Sequence, residues 1–448
     1  MKSSILTREK SLQPLPANGP LLILGAGISG RGAARLLTQR GYSCRFFDES
    51  QQAENCITNV SEIRSGRFSA AVSSPGFGPA HPAIQATHGA AIPIFSEVEI
   101  AIVLSETPYI GITGSNGKTT TTALLSHLLQ AKGEIAPAVG NIGHCFSDAI
   151  LDYPEADRFV VELSSYQLER FEPARPAEVA LLLNISPDHL ERHGTLENYV
   201  HAKLNLAQQA KALVYNADDP AFAHLPALFP DLPTLSFGIN NPQAQIRWQN
   251  GVINTGISLS TSGYRLQGLH NLQNVMAAIG TCRLLGHDPE QINRAVASFS
   301  PLAHRLEPLS SIKGVSYIND SKATNEDAVN YALQTFPPGT VHLLAGGIIK
   351  SDDLSTLRPL IEKFVIHLYL YGQDRERILA GLGTPENVSL FETMAEALEA
   401  AATDARSGET VLLSPMGASF DQFRNFEERG DHFRELVSQL STEAEENE

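Results

Sequence analysis

Residues 109–122 read YIGITGSNGKTTTT, an apolar strand that runs into a glycine-rich turn, then a lysine and a run of hydroxyls. This stretch constrains the fold more than any other, because the turn must sit between a buried strand and a helix N-terminus. A nucleotide triphosphate suits such a turn. Gly114 and Gly117 are placed to permit positive φ, so that the N–H groups of the Gly114-Ser115-Asn116-Gly117 turn point inward, while a helix starting near Lys118 adds its dipole. Lys118 can then reach the β- and γ-phosphates, and Thr119, followed by Thr120, stands where a P-loop places its Mg²⁺-binding hydroxyl. The match is imperfect, since the position five before Gly117 is Ile112. The bland alternative is a glycine turn ahead of a buried helix.

A second turn of this kind opens the chain. LLIL at residues 21–24 runs into Gly25-Ala26-Gly27-Ile28-Ser29-Gly30, and the next strand, CRFF, ends at Asp48. That is a G-x-G-x-x-G strand-turn-helix followed by an acidic residue, which lets a diphosphate approach the backbone and lets Asp48 hydrogen-bond a sugar or base edge. Another turn, Ser73-Ser74-Pro75-Gly76, follows a strand at residues 70–72. Either glycine could serve instead only to let a helix pack closely on a strand.

The 448 residues exceed one ordinary core and imply about three domains. We place a flexible extension at 1–20, a Rossmann-like domain at 21–106 and a central P-loop domain at 107–301. A C-terminal Rossmann-like α/β domain follows at 302–440, and a disordered acidic tail at 441–448. The break near residue 106 follows from the polar, proline-punctuated SETP, and the next from Pro301. In the central part FVVEL, VALLLNI and ALVYN are runs of buried-strand length separated by helical stretches such as 195–211. Residues 235–266 are more polar and read as a smaller antiparallel sheet, and helices at 271–286 and 289–299 close the domain. The last part alternates strand and helix from GVSYIND to a final helix at 420–440. The expected class is α/β, with mainly parallel sheets in all three domains.

A net charge of −16 argues against nucleic acid or an anionic membrane surface as the main partner. Apolar runs fall short of the ~20 residues that span a bilayer, and residues 1–20 lack the apolar core of a secretory signal. The four cysteines have no C-x-x-C spacing, which fits reduced thiols in a cytoplasmic protein. Glu162 at the end of FVVE, His189 after VALLLNI and Lys203 on the following helix fall at the ligand-binding end of an open parallel sheet. Taken singly, a histidine or lysine in such places is more often a surface residue.

These pieces together resemble one family. GITGSNGKTT, GNIG at 140–143, VVELSSYQL at 160–168, NISPDHLERHG at 184–194 and HAK at 201–203 are similar to the Mur ligases. So are GLHNLQN at 268–274, HRLE at 304–307, YINDSKATN at 317–325 and LLSPMGASFDQFRNFEERG at 412–430. The resemblance runs over about residues 21–440 in unbroken order, and its last motifs point to the branch that adds D-glutamate. It implies an enzyme that consumes ATP with two Mg²⁺ ions and takes UDP-N-acetylmuramoyl-L-alanine and D-glutamate as substrates, as a monomer.

The same resemblance implies the following roles. Lys118 and Thr119 meet the ATP phosphates and Mg²⁺, Asn141 the substrate side of the γ-phosphate, and Glu162 the first Mg²⁺. His189 and Lys203 serve the second, with Lys203 carrying a CO₂-derived carbamate. Asn271 and Asn274 lie near adenine or ribose; Arg305, Asp320 and Lys322 approach the nucleotide from the last domain. Thr324, Lys350, Ser419, Phe420 and Phe426 hold D-glutamate, and Ser29, Asp48, Glu49 and Gly76 cradle the UDP part. Ile348 and Ile349 before Lys350, Met416 with Gly417, and Glu49 depart from the common pattern. An NAD-dependent oxidoreductase would explain residues 25–48 alone, and a plain P-loop ATPase would leave SKATN unexplained. The nearest competitor is a Mur-type or folylpolyglutamate-type ligase for another amino acid.

Overall fold

The computed structural model describes residues 15, 19–49, 56–65, 67–266 and 268–446. They form three sheets in two compact units, one reaching Gly263 and including Gln273–Ser298, the other made of Tyr264–Leu272 and the chain from Phe299 onward.

The first sheet is wholly parallel, in the order Cys56–Ile57, Cys44–Phe47, Leu21–Leu24, Ala70–Ser73, Ile94–Ser96. Its central strand is fully buried, as expected of a strand covered on both faces. The strand order reverses between the Leu21–Leu24 and Ala70–Ser73 strands, so the Gly25–Gly30 turn and the Ser73–Gly76 turn open side by side at the carboxyl ends. Of the extension expected over residues 1–20 most lies outside the described residues. Leu15, however, is buried against Leu21 and Ile23.

The second sheet has nine strands and belongs to the same unit. Tyr109–Thr113 lies between Val179–Leu182 and Phe159–Glu162, all parallel, so the P-loop, Glu162 and the loop to His189 leave adjacent strands at the same end. The antiparallel part expected over 235–266 is present as an edge of this sheet: Thr234–Gly238 and Ile246–Gln249 continue it in parallel, and Val252–Asn254 and Ser258–Ser260 fold back. Aliphatic residues of the helix Glu97–Leu104, among them Val98, Ala101 and Ile102, join the core under the central sheet.

The third sheet runs Glu307–Ile312, Val315–Asn319, Thr410–Met416, Val341–Gly346, Val365–Tyr371, Val388–Phe391. Its first strand, an antiparallel partner of the second, escapes a pattern search because EPLSSI carries a proline and is interrupted by a bulge. The last helix starts at Phe426, not 420: Asn425 Oδ1 accepts the Glu428 N–H, capping the helix there, while Ser419 O takes the N–H groups of Gln422 and Phe423 in a turn. The same helix continues to Glu446, so residues 441–446 are helical rather than disordered. Their run of Glu, Ala and Thr is polar, yet glutamate and alanine are good helix formers on the end of an established helix. Among the described residues no helix is long and apolar enough to cross a membrane.

Candidate active site

The P-loop begins where Thr113 closes its strand. Gly117 takes φ +82° as the N-cap of Lys118–Gln130, as a turn glycine should. Gly114 does not take a positive φ, which corrects the sequence reading; it is a close-approach glycine, since a Cβ there would lie 2.9 Å from Leu183 Cβ. The loop is laced to the next strand end: Asn184 Oδ1 accepts the Asn116 N–H at 2.8 Å, Asn184 O accepts that of Ser115, and Ser115 Oγ bonds both Ser186 and Tyr199. The loop that carries His189 is thereby fixed to the loop that carries Lys118.

Lys118 Nζ donates to Gly114 O at 2.8 Å and to Ser115 O at 2.7 Å. Lys203 Nζ donates to the same Gly114 O at 2.7 Å from the helix Leu196–Gln208, and is only 1% exposed. The surface reading of Lys203 is thereby removed. Burial first, and then the Lys118 ammonium, hold its amine well below the usual lysine range. Its Nζ also lies over the Tyr199 ring, 4.4 Å from the centroid.

Glu162 is 2% exposed. Its Oε1 accepts from Asn141 Nδ2 at 3.0 Å, whereas its buried Oε2 has no hydrogen-bond partner among the described residues. Native proteins rarely leave a carboxylate oxygen so, and hard cations take oxygen ligands. Asn141 is held in turn by its backbone bond to Glu162 O, next to Gly140, where a Cβ would fall 2.4 Å from that carbonyl. His189 is a positive-φ residue at 55°, its ring 4.9 Å from that of Tyr166 and its Nε2 3.4 Å from Asp188 Oδ2. Among the described residues no group of three or more His, Cys, Asp or Glu gathers as a metal site. The expected set of Thr119, Glu162, His189 and Lys203 draws on a hydroxyl and an amine instead, and the open oxygen of Glu162 fits a cation there. Thr119 and Thr120 lie in the first turn of the P-loop helix, half-buried and buried. Asn274 is buried against the loop, its Oδ1 2.3 Å from where a Cβ on Gly117 would be. Asn271, also buried, belongs to the segment Tyr264–Leu272 of the other unit.

At the first sheet Gly25 has φ +97°, and a Cβ on Gly30 would meet Gly25 O at 1.9 Å, so Gly30 is the glycine that lets the helix Ile28–Gln39 pack on the turn. Asp48 Oδ2 accepts the Ala26 N–H at 3.0 Å, which anchors its carboxylate against the turn; Glu49 beside it is exposed and Ser29 half-buried. Gly76 is exposed in the turn closed by the Phe77 N–H bond to Ser74 O.

In the second unit Asp320 is buried and accepts from Leu306 N–H and Ser414 Oγ; burial pushes its carboxyl up to about 7, against those bonds and the nearby Arg305. Lys322 Nζ lies 3.6 Å from the centroid of the Phe426 ring, and Thr324 follows one turn bond on. Ser419 is buried, Phe420 is 71% exposed, and Lys350 is exposed next to Ile349, which packs into the core and so accounts for the apolar departure there. Met416 adopts φ +59° and Gly417 approaches Gly346 O closely.

The roles of two arginines were not legible in the sequence. Arg429 is fully buried, donating to Ser321 Oγ, Ser321 O and Gly417 O, which ties the SKATN segment to the 417–419 turn. Arg192 bonds Glu169 and the Pro75 carbonyl. Both reach partners more than 10 positions away on other elements, and local spacing carries no trace of such pairs.

Residues 112–282 match the family model of the Mur ligase middle domain and 304–417 that of the Mur ligase glutamate ligase domain. A UDP-N-acetylmuramoylalanine–D-glutamate ligase of Christiangramia forsetii is 38% identical over 94% of this chain and 99% of its own. One of the same name from Thermosynechococcus vestitus is 37% identical over 93% and 99%. Among solved structures, MurC of Thermotoga maritima aligns with TM-score 0.62 at 18% identity, covering 94% of this chain and 99% of that one. MurF of the same organism, in complex with ADP, gives 0.61 at 18%, covering 96% of each. With the P-loop, the acid at the neighbouring strand end, and near-full-length relatives above a third identity all in agreement, the chain belongs to the Mur ligase family.

Proposed function

We propose that the protein is a cytoplasmic, ATP-dependent ligase that joins D-glutamate to UDP-N-acetylmuramoyl-L-alanine, a step in building peptidoglycan precursors. Near-full-length relatives that carry this activity in their names support the choice of substrates. One observation carries the chemistry: Lys118 and the buried Lys203 converge on the Gly114 carbonyl, beside a buried Glu162 with an open oxygen.

In the reaction an oxygen of the L-alanine carboxylate attacks the γ-phosphorus and ADP leaves. The D-glutamate amine then attacks the acyl-phosphate carbon, phosphate departs and the amine proton is lost. The work of the protein is placement and charge neutralisation. The P-loop amides and Lys118 hold the triphosphate, Asn141 faces the γ-phosphate, and the Asp48 side of the first sheet holds the UDP part. Thr119 and Glu162 would hold one Mg²⁺, and His189 with a carbamylated Lys203 the other; bound there, the cations offset the charge of two anions brought together. Lys203 suits that carbamate because its amine is buried beside another cation. Arg305, Asp320 and Lys322 are assigned to the nucleotide, and Thr324, Lys350, Ser419, Phe420 and Phe426 to the amino acid.

The test is phosphate release with ATP, Mg²⁺ and the UDP-linked acceptor, offering each candidate amino acid in turn. Release with D-glutamate alone is expected. Release with a diamino acid or L-alanine instead would make the protein a sibling ligase, and release without any acceptor would make it a plain ATPase.

A further inference from the structure

Arg192 stands three residues beyond His189 and spends its guanidinium on two separate parts of the first unit. Nε and Nη2 make a two-pronged pair with Glu169 at 2.9 and 3.0 Å, while Nη1 donates to Pro75 O at 2.7 Å. Its Cζ sits 4.0 Å above the Tyr166 ring, the same ring that packs on His189. The side chain is 15% exposed and Glu169 19%. A single residue thus joins the Pro75-Gly76 turn of the first sheet to the wall that holds His189.

The turn is also fixed from its own sheet, Ser74 N–H donating to Leu24 O and Phe77 N–H to Ser74 O, with the Phe77 ring against Phe47 and His81. A cleft of about 80 Å³ adjoins it, lined by Ser74, Pro75, Phe77, Tyr166, Glu169 and Arg192 among others, and Ser74 Oγ is buried there without a hydrogen-bond partner among the described residues. On its cleft side the turn is reached by Arg192, whose bond to Pro75 O links it to the wall that holds His189. Arginine suits this duty because its planar fork can satisfy a carboxylate with two N–H groups and still direct a third at a carbonyl.

We propose that Arg192 is a positioning residue for the UDP-linked substrate: it fixes the Gly76 turn, which cradles the phosphates, at a set distance from the His189 loop where the acceptor carboxylate reacts. The inference rests on the functional reading above. It matters because a displacement of about 1 Å between bound group and reacting centre costs ~10²-fold in rate. Without the tether the turn no longer meets the phosphates in its set place, so the UDP-linked substrate binds more weakly and its two ends are no longer held in one frame.

The experiment compares Arg192→Gln, Arg192→Lys and Glu169→Gln with the wild type, measuring KM for each of the three substrates, kcat and thermal unfolding. Arg192→Gln should raise KM for the UDP-linked substrate by about tenfold or more, with KM for ATP unchanged. Arg192→Lys, able to keep one contact of three, should fall between it and the wild type. Glu169→Gln, nearly equal in volume and therefore a safeguard against misfolding, should show the same selective rise in smaller measure. An unchanged KM for the UDP-linked substrate in Arg192→Gln overturns the proposal, as does an equal rise in all three KM values together with a lowered Tm. A wild type that neither binds nor turns over the UDP-linked substrate sinks the functional reading itself, and is thereby told apart from either of those results.

Discussion

The chain contains two glycine-rich turns built to one plan, and they present opposite charge. Both follow a buried central strand, both open a helix, and both contain a glycine with positive φ, Gly25 at +97° and Gly117 at +82°. At the first, a carboxylate, Asp48, accepts the loop amide of Ala26. At the second, two amines, Lys118 and Lys203, donate to loop carbonyls. A shared backbone shape therefore does not select the ligand. On the proposed function the side chains that reach it from neighbouring elements do: an acid meets the hydroxyl and N–H donors of a sugar or base, and the Lys118 ammonium meets a triphosphate, with Lys203 joining it as a carbamate.

The contrast breaks most visibly at the lysines. Lys118→Ala should lower kcat/KM by at least ~10³-fold, since it removes charge from the transferring phosphoryl group, while binding of the UDP-linked substrate by calorimetry stays intact. Lys203→Ala should approach that loss and recover in part with added acetate; retention of more than about a tenth of wild-type activity would sink the carbamate role.

Gly30→Ala strikes the other turn through packing. Its Cβ would lie 1.9 Å from a backbone oxygen that cannot swing aside, so a loss of about 3 kcal/mol in stability is expected from urea unfolding. The same substitution at Gly114 meets a side-chain carbon at 2.9 Å and should cost less.

Asp48→Ala should raise KM for the UDP-linked substrate by roughly 10-fold or more and leave that for ATP alone. Tight binding of NAD at this site would instead revive the oxidoreductase reading.

The smallest effect separates the two units by pH. Asp320 has a carboxyl raised to about 7 by burial, so its contribution to stability is fullest below the ordinary carboxylate range and is lost as pH rises toward 7. Asp320→Asn does not titrate. Its Tm should gain on the wild type between pH 4.5 and pH 7.5, by at most a few degrees, as followed by calorimetry.

The charge contrast was partly legible in the sequence. Strand, turn and Lys-Thr announce the triphosphate loop, and Asp48 sits at the spacing a sugar contact needs. Glu162 at a strand end followed from the rule for parallel sheets. What the sequence withheld were features set by contacts between distant segments. Gly114 looks like a turn glycine by spacing, yet its reason is Leu183, some 70 positions on. Asn184, which accepts from Asn116 and fixes the two loops together, has no local signature. The last helix starts at Phe426 rather than 420 because one side chain, Asn425, caps it there.

In the proposed cation site the open Oε2 of Glu162 sets stability and activity against each other. A buried carboxylate oxygen that no protein donor reaches raises the free energy of the folded chain by about 1–3 kcal/mol. Glutamine fits the same space with less charge to desolvate, so selection for heat resistance alone would tend to discard this glutamate. An engineer who stabilises the protein without watching turnover would therefore find the gain most readily at the position the chemistry can least spare.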